Sequence, residues 1–472
     1  MNLRAHLVAA CLVLSPAAHA DRLFADGFQI PVPPSQFPIE NGERQIPSGP
    51  AADQLAWILG ELASGETTTT AEVSAHFVAA YDPATMASFI NSLRGPFANA
   101  IVTDVVTVTP LALAVVIASP GAPPPYGFVQ LQAHYTGSQL VTSFGVSNFS
   151  GSVMYPADQA LTLNQAVTRF QTLASDSSVL VGRINRLTGT CTAVAQADAG
   201  TLRATGSIFK TWVLGGLTDQ VAKGEIDLDE NVVLDSNFLA LGALLDGEPL
   251  GTALPLSDMT ALMIGISDNA ATDHIHHLVG RPAIDAFIDH SGVADANVLK
   301  PLLGISEQFH LFFSFPLATS TSYVNGTEPF QQQFIDNQID PLGPYLGGGA
   351  YNNESLFTLG SWRASPFDIC NAFSRLRRAP QGSDALWLID HALGASAAQP
   401  DVRDHWNRVW YKGGSLESGS NGLLVLTHAW MLENTNEDPW VVIAMANANA
   451  GGIDEYAVQS VTGRLLQIVA GM

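Results

Sequence analysis

Gly206-Ser207-Ile208-Phe209-Lys210-Thr211-Trp212-Val213 is the stretch on which the reading of this chain turns. An apolar run opens here behind a glycine, and Lys223-Gly224 supplies a basic last turn and a glycine stop, so the pattern predicts a helix ending at Gly224. Residues three apart share a helical face, which brings the Lys210 amine to the Ser207 hydroxyl. A serine alcohol is a weak nucleophile until a neighbouring base takes its proton. A lysine partly desolvated among Ile208, Trp212 and Val213 has the lowered pKa this requires. The free N–H groups of a helix start favour the negative charge that develops on an attacked carbonyl. Taken alone, S-x-x-K describes equally well a capping serine and a solvated lysine.

Two further stretches change the weighing. Ser267-Asp268-Asn269 follows the apolar Leu262-Met263-Ile264-Gly265-Ile266, as a loop entering a helix does; by itself it is a plain helix cap. Val409-Trp410-Tyr411-Lys412-Gly413-Gly414-Ser415 reads as a strand paired with Gly422 to Leu426 and Trp440 to Met445. Its glycines admit a substrate backbone to the strand edge, and Lys412 offers a cation to a substrate carboxylate; the bland alternative is a glycine bulge beside a solvated lysine. In this order, S-x-x-K, S-D-N and K-[T/G]-G form the joint signature of serine β-lactamases and penicillin-binding proteins.

On these motifs, residues 180 to 472 resemble class A-type serine β-lactamases; Ser267 to Asp273 followed by Gly280-Arg281-Pro282 matches that pattern closely. The resemblance implies that Ser207 is acylated and that Lys210 is its base. It makes Ser267 the proton relay to the leaving group and gives Asn269 the substrate carbonyl or amide. Lys412 adds positive charge, and the backbone at Ser207, Gly414 and Ser415 forms the oxyanion site. The implied activity is hydrolysis of an ester, amide or β-lactam through a Ser207 acyl-enzyme, with no cofactor and no metal. A D-alanyl-D-alanine carboxypeptidase needs the same motifs, and a binder or sensor that is acylated without turnover is the reading from outside enzymology.

Two departures bear on turnover. Class A enzymes carry a deacylating glutamate in E-x-x-L-N beyond S-D-N, and this sequence has no such motif. Glu307 falls near the expected place in a different context, where a first-turn helix acid accounts for it equally well. Slow deacylation, and weak β-lactamase activity, are the expectation. The segment from Ser267 to Lys412 is also long for the family, the surplus being Phe312 to Gly360, which reads as a lid or flank of the site.

Upstream, residues 51–152 read as three helices followed by antiparallel strands, an α+β unit. Joined to such a hydrolase, this resembles the two-domain β-lactamase-like proteins of clavulanic acid biosynthesis clusters, whose first domain is a steroid-isomerase or polyketide-cyclase cone. Residues 153–178 are expected to be a connector and 179–472 the hydrolase domain. His76, Tyr81 and Asp82 offer acid/base groups to a cone, but no motif supports them and a packing role is preferred.

Met1 to Ala20, with Arg4, an apolar core and Ala18-His19-Ala20, reads as a secretory signal, and 21–50 as a proline-rich linker, so the protein is expected to be exported, to periplasm or medium. No apolar run approaches the roughly 20 residues of a spanning helix. A net charge of -23 argues against nucleic acid and anionic membrane surfaces, leaving a small molecule as the expected partner and the oligomeric state open. Cys191 and Cys370 are read as two separate buried thiols, though export permits a disulfide. Asp273-His274-Ile275-His276-His277 lacks a third ligand on one helical face, and a metal site is not expected.

Overall fold

The computed structural model describes residues 37–120, 126–149, 154–360 and 362–472. The expected signal sequence and most of the linker lie outside the described residues.

After a two-residue antiparallel pairing of Ile39–Glu40 with Glu43–Arg44 come three helices: α1 (Pro50–Ala63), α2 (Thr70–His76) and α3 (Pro83–Phe97). Their starts follow the residues that satisfy free N–H groups. Thr69 accepts from Glu72 N in a capping box, Asp82 accepts from Thr85 N, and Pro50 and Pro83 stand where no donor is needed. The strands β1 (Ile101–Val108), β2 (Ala112–Ala118), β3 (Tyr126–Ala133) and β4 (Val141–Phe149) then pair in that order as an antiparallel meander. Leu55, Ile58, Val73 and Ile90 from the helices close one core with Val105, Val115 and Leu131 from the sheet.

The larger sheet sits in the other half. Helix α4 (Leu163–Gln171) precedes β5 (Asp176–Ile184) and β6 (Cys191–Ala197). The helices α5 (Lys210–Lys223), α6 (Leu256–Gly265), α7 (Asn269–Val279), α8 (Arg281–His290) and α9 (Ile305–Phe313) follow. After α10 (Pro366–Leu376) and α11 (Asp384–Gly394) come β7 (Arg408–Ser418), β8 (Gly422–Glu433), β9 (Trp440–Asn447) and the terminal α12 (Glu455–Ala470). The sheet order is β7-β8-β9-β5-β6, antiparallel throughout, with β7 at one edge.

This sheet is covered on both faces, and strand alternation sorts the side chains between two cores. Val441, Ile443 and Met445 of β9 join Trp410, Trp212 and Leu262 on one side. Val442, Ala444 and Ala446 join Trp430, Phe170 and Val461 on the other. Phe170 places α4 inside this second core, so the residues read as a connector supply a packed layer over the larger sheet. Helix α5 is buried nearly all round, which is why its apolar residues show little sidedness. It ends at Gly224, as expected, in the left-handed region at φ 72°.

The cysteine reading is corrected by the structure: Cys191 of β6 and Cys370 of α10 form a disulfide, with Cα atoms 6.3 Å apart. The sheet edge and the helix that covers it bring together residues far separated in sequence, at a spacing that suits a disulfide.

Candidate active site

Ser207 lies in a 3-10 turn, Gly206–Phe209, that runs directly into α5. It is half-exposed while Gly206 and Ile208 on either side are buried. Gly206 has φ 50°, and a Cβ there would stand 2.7 Å from Ser415 N; a Cβ on Gly414 would stand 2.5 Å from Ser207 N. The turn and strand β7 therefore approach backbone to backbone, which only glycine at both positions allows. Thr427 Oγ1 pins the junction, donating to Thr205 O at 2.7 Å and to Gly414 O at 3.1 Å. The backbone at Ser207 and the backbone at Ser415 thus meet across this junction.

Lys210, the first residue of α5, is fully buried. Its Nζ donates to Ser267 O at 2.6 Å, Asn269 Oδ1 at 3.0 Å and Ser267 Oγ at 3.2 Å. Burial pushes its ammonium down to about 7, against the opposing pull of Asp268 and Asp273. Lys412 comes from β7, is 1% exposed, and donates to the same Ser267 Oγ at 3.0 Å and to Gly413 O at 2.8 Å. Burial, then the neighbouring Lys210, holds it well below the ordinary lysine value. The Ser267 hydroxyl stands between two amines.

Ser267 reaches that position through backbone strain, with φ 61° in a left-handed conformation that costs a serine about 1–3 kcal/mol. The three residues of the motif divide the work. Asp268 is the helix cap, accepting from Ala271 N at 2.8 Å and from Leu244 N at 2.7 Å. Ser267 and Asn269 turn to Lys210 instead, and Asn269 Nδ2 donates to Leu241 O at 2.8 Å. The long segment flanks this side: Leu241 N donates to Tyr345 O at 3.1 Å. It folds into helices Leu317–Val324, Glu328–Phe334 and Ser355–Leu359.

The structure brings Ser207, Lys210, Ser267, Lys412, Asn269, Gly414 and Ser415 together. Glu307 is elsewhere. It stands in the first turn of α9, pairs with Arg281 at 2.5 Å and accepts from Gly304 N at 2.7 Å. Burial alone raises its pKa, but Arg281 and His276 outweigh that and hold the carboxylate below its usual range. It does not line the cleft.

Each group of the histidine-rich stretch has its own partner. Asp273 accepts from Ile305 N at 2.6 Å, His274 Nε2 accepts from Asp235 N at 2.9 Å, His276 meets Leu302 O at 3.0 Å and His277 stacks on Phe238. Among the described residues no group of three metal-ligating side chains assembles. In the first half, His76 stacks on Trp57 with Nδ1 at 2.9 Å from Gln54, and Asp82 caps α3.

A cleft of about 240 Å³ opens beside Ser207 along the Ser267 and Lys412 side. Part of its wall, Tyr411 and His428, escaped the sequence reading as site residues. Tyr411 adjoins Lys412 in the quoted motif, and His428 is reached only through the hairpin register that pairs it with Gly413. A register count across the turn at Gly422 is the signal that finds it.

Residues 168–325 match the model of the beta-lactamase enzyme family. That gives this part of the chain a β-lactamase-like, penicillin-recognising serine-hydrolase-type fold, and the matched segment contains Ser207, Lys210, Ser267 and Asn269. No curated protein matches the chain in sequence. Among solved structures, it is similar to a β-lactamase from Chitinophaga pinensis at 15% identity, covering 65% of this chain and 97% of that one with a TM-score of 0.43. A β-lactamase from Sphaerobacter thermophilus aligns at 19% identity over 65% of this chain and 94% of that one, TM-score 0.41. One from Xanthomonas campestris aligns at 14% identity over 66% and 96%, TM-score 0.42. Among the described residues no helix is long and apolar enough to cross a membrane.

Proposed function

We propose that the chain is a serine hydrolase that forms an acyl-enzyme at Ser207 on an ester, amide or β-lactam and is weak as a β-lactamase. The observation that carries this is the Lys210–Ser267–Lys412 hydrogen-bond chain beside a half-exposed serine. Lys210, neutral in a large fraction of molecules near pH 7, takes the Ser207 proton as Oγ attacks the carbonyl carbon. The N–H groups of Ser207 and Ser415 receive the oxyanion. Collapse breaks the bond to the leaving group, which takes the Ser267 proton, while Lys210 returns its proton to Ser267. Asn269, held by Lys210 and Leu241 O, orients the acyl portion.

Deacylation needs a base for water. Glu307 is committed to Arg281 and Gly304, which favours a long-lived acyl-enzyme and keeps the acylated binder as a second reading. The three helices and four-stranded meander support residues 51–152 as a cone-like domain that packs rather than catalyses, with 179–472 carrying the hydrolase. The Cys191–Cys370 bridge supports export to an oxidising compartment.

The test incubates the mature protein and Ser207→Ala with a fluorescent penicillin and with nitrophenyl acyl esters. An acyl mass on the Ser207 peptide, lost in the variant, is the expected result. Sustained turnover separates the hydrolase from the binder. Turnover unchanged in Ser207→Ala would sink the proposal.

A further inference from the structure

The cleft wall beside Ser267 and Lys412 is built from groups that the proton relay does not use. Strand β7 is an edge, and its Gly413 pairs with His428 of β8. A Cβ on Gly413 would collide with the Tyr411 hydroxyl. With glycine there, the phenol lies over the strand and its oxygen meets His428 Nδ1 at 2.8 Å. The imidazole stacks beside Trp430 at 5.3 Å, is 8% exposed, and its Nε2 has no hydrogen-bond partner among the described residues. Burial pushes His428 down to about 4 and Tyr411 up, so both are uncharged at neutral pH.

Ile264 and Ile266, from the end of α6, and Leu426 of β8 complete this wall. Among the described lining residues the titratable groups are Tyr411, Lys412 and His428. The Lys412 amine is buried and already committed to Ser267 Oγ and Gly413 O. A carboxylate placed here gives up part of its hydration and gains no exposed cation in return. The net charge of -23 adds repulsion at longer range.

Ser267 hands its proton to the leaving group, so this side of the cleft faces the departing half of the substrate. Resting on the acyl-enzyme reading above, we propose that the cleft selects acyl donors whose leaving group is uncharged, alkyl or aryl esters and lactones, over donors with a carboxylate next to the scissile bond. The Tyr411–His428 pair and Ile266 are the specificity-determining residues. In the step, the Ser207 Oγ–acyl carbon bond forms, the acyl carbon–alkoxy oxygen bond breaks, and the departing oxygen leaves as a neutral alcohol carrying the Ser267 proton.

The test compares 4-nitrophenyl butyrate with its 3-carboxy counterpart on the mature protein. Each kcat/KM is divided by that ester's hydroxide-catalysed rate, and Ser207 acylation is followed by peptide mass spectrometry. The neutral ester is expected to be favoured about tenfold or more, equivalent to at least about 1.4 kcal/mol. Ile266→Lys places an ammonium on the wall and is expected to narrow the ratio several-fold; if that variant does not fold, the ratio in the unaltered protein decides. A ratio below ten with Ser207 acylated overturns this inference and leaves the acyl-enzyme reading standing. Absence of acyl mass on Ser207 with either ester overturns both.

Discussion

The sharpest consequence of the buried amines is a pH profile. Lys210 serves as a base only when neutral, and burial has brought its ammonium down to about 7. The neutral fraction then climbs from about one-tenth at pH 6 to about nine-tenths at pH 8, so acylation should rise about tenfold over that interval. The sign follows from the lowered pKa: protonation below the midpoint removes the base, and activity falls as pH falls. Lys412 is depressed by the same burial and shares Ser267, so the midpoint belongs to the pair. Lys210→Arg keeps a cation but cannot lose its proton, and acylation should drop about 10²–10⁴-fold, roughly 3–5 kcal/mol in barrier. The assay is the acylation rate from burst kinetics with an uncharged nitrophenyl ester, so that substrate ionisation contributes nothing. A flat profile from pH 6 to 9, a midpoint near the ordinary lysine value, or an arginine variant with undiminished rate would refute the assignment of Lys210 as base.

Three further outcomes are expected. Gly414→Ala puts a Cβ against Thr205 O and Ser207 N, and should abolish acylation while circular dichroism shows the fold retained. Glu307→Gln leaves Arg281 without its counter-charge and should cost up to about 3 kcal/mol in thermal melts, yet leave the ester acylation rate within about twofold. Replacing Cys191 and Cys370 together by serine should lower denaturant stability by about 2–4 kcal/mol with the pH profile of acylation unchanged.

What could be read from the sequence was what local periodicity encodes. The α5 start at Gly206 and stop at Gly224, the strands around Lys412, Leu424 and Val442, and the helices-then-strands order of residues 50–149 each follow from spacing of apolar residues and caps. The grouping of the candidate site residues was legible because their three motifs carry their own contexts. The disulfide was not, since Cys191 and Cys370 meet only when β6 and α10 pack. His428 was hidden for the same reason: its place beside the cleft depends on the register of a hairpin, and a one-residue slip would turn it to the opposite face. The motif at Ser267 shows a subtler limit. A helix cap and a catalytic loop were weighed as rival readings; the structure shows the cap at Asp268, while Ser267 and Asn269 on either side bond Lys210.

That division also explains what the first half of the chain contributes to the site. Helix α6 ends at Gly265, two residues before the strained Ser267, and a Cβ on Gly265 would stand 2.8 Å from Ala395 Cβ and 2.9 Å from Thr109 Cγ2. Tyr135 donates to Asp258 in the first turn of α6 at 3.0 Å. Glu248 accepts from Tyr135 N at 2.8 Å and Thr136 Oγ1 at 2.8 Å. Arg403 donates to Val105 O at 2.8 Å, and Val108 N donates to Ala395 O at 2.9 Å. Tyr135 thus ties the first turn of α6 to the meander side, and Ala395, bonded to Val108, packs against its last residue. A left-handed serine persists only where its surroundings over-determine it. The α+β half therefore bears on the candidate site without lining it, through its contacts at the two ends of α6.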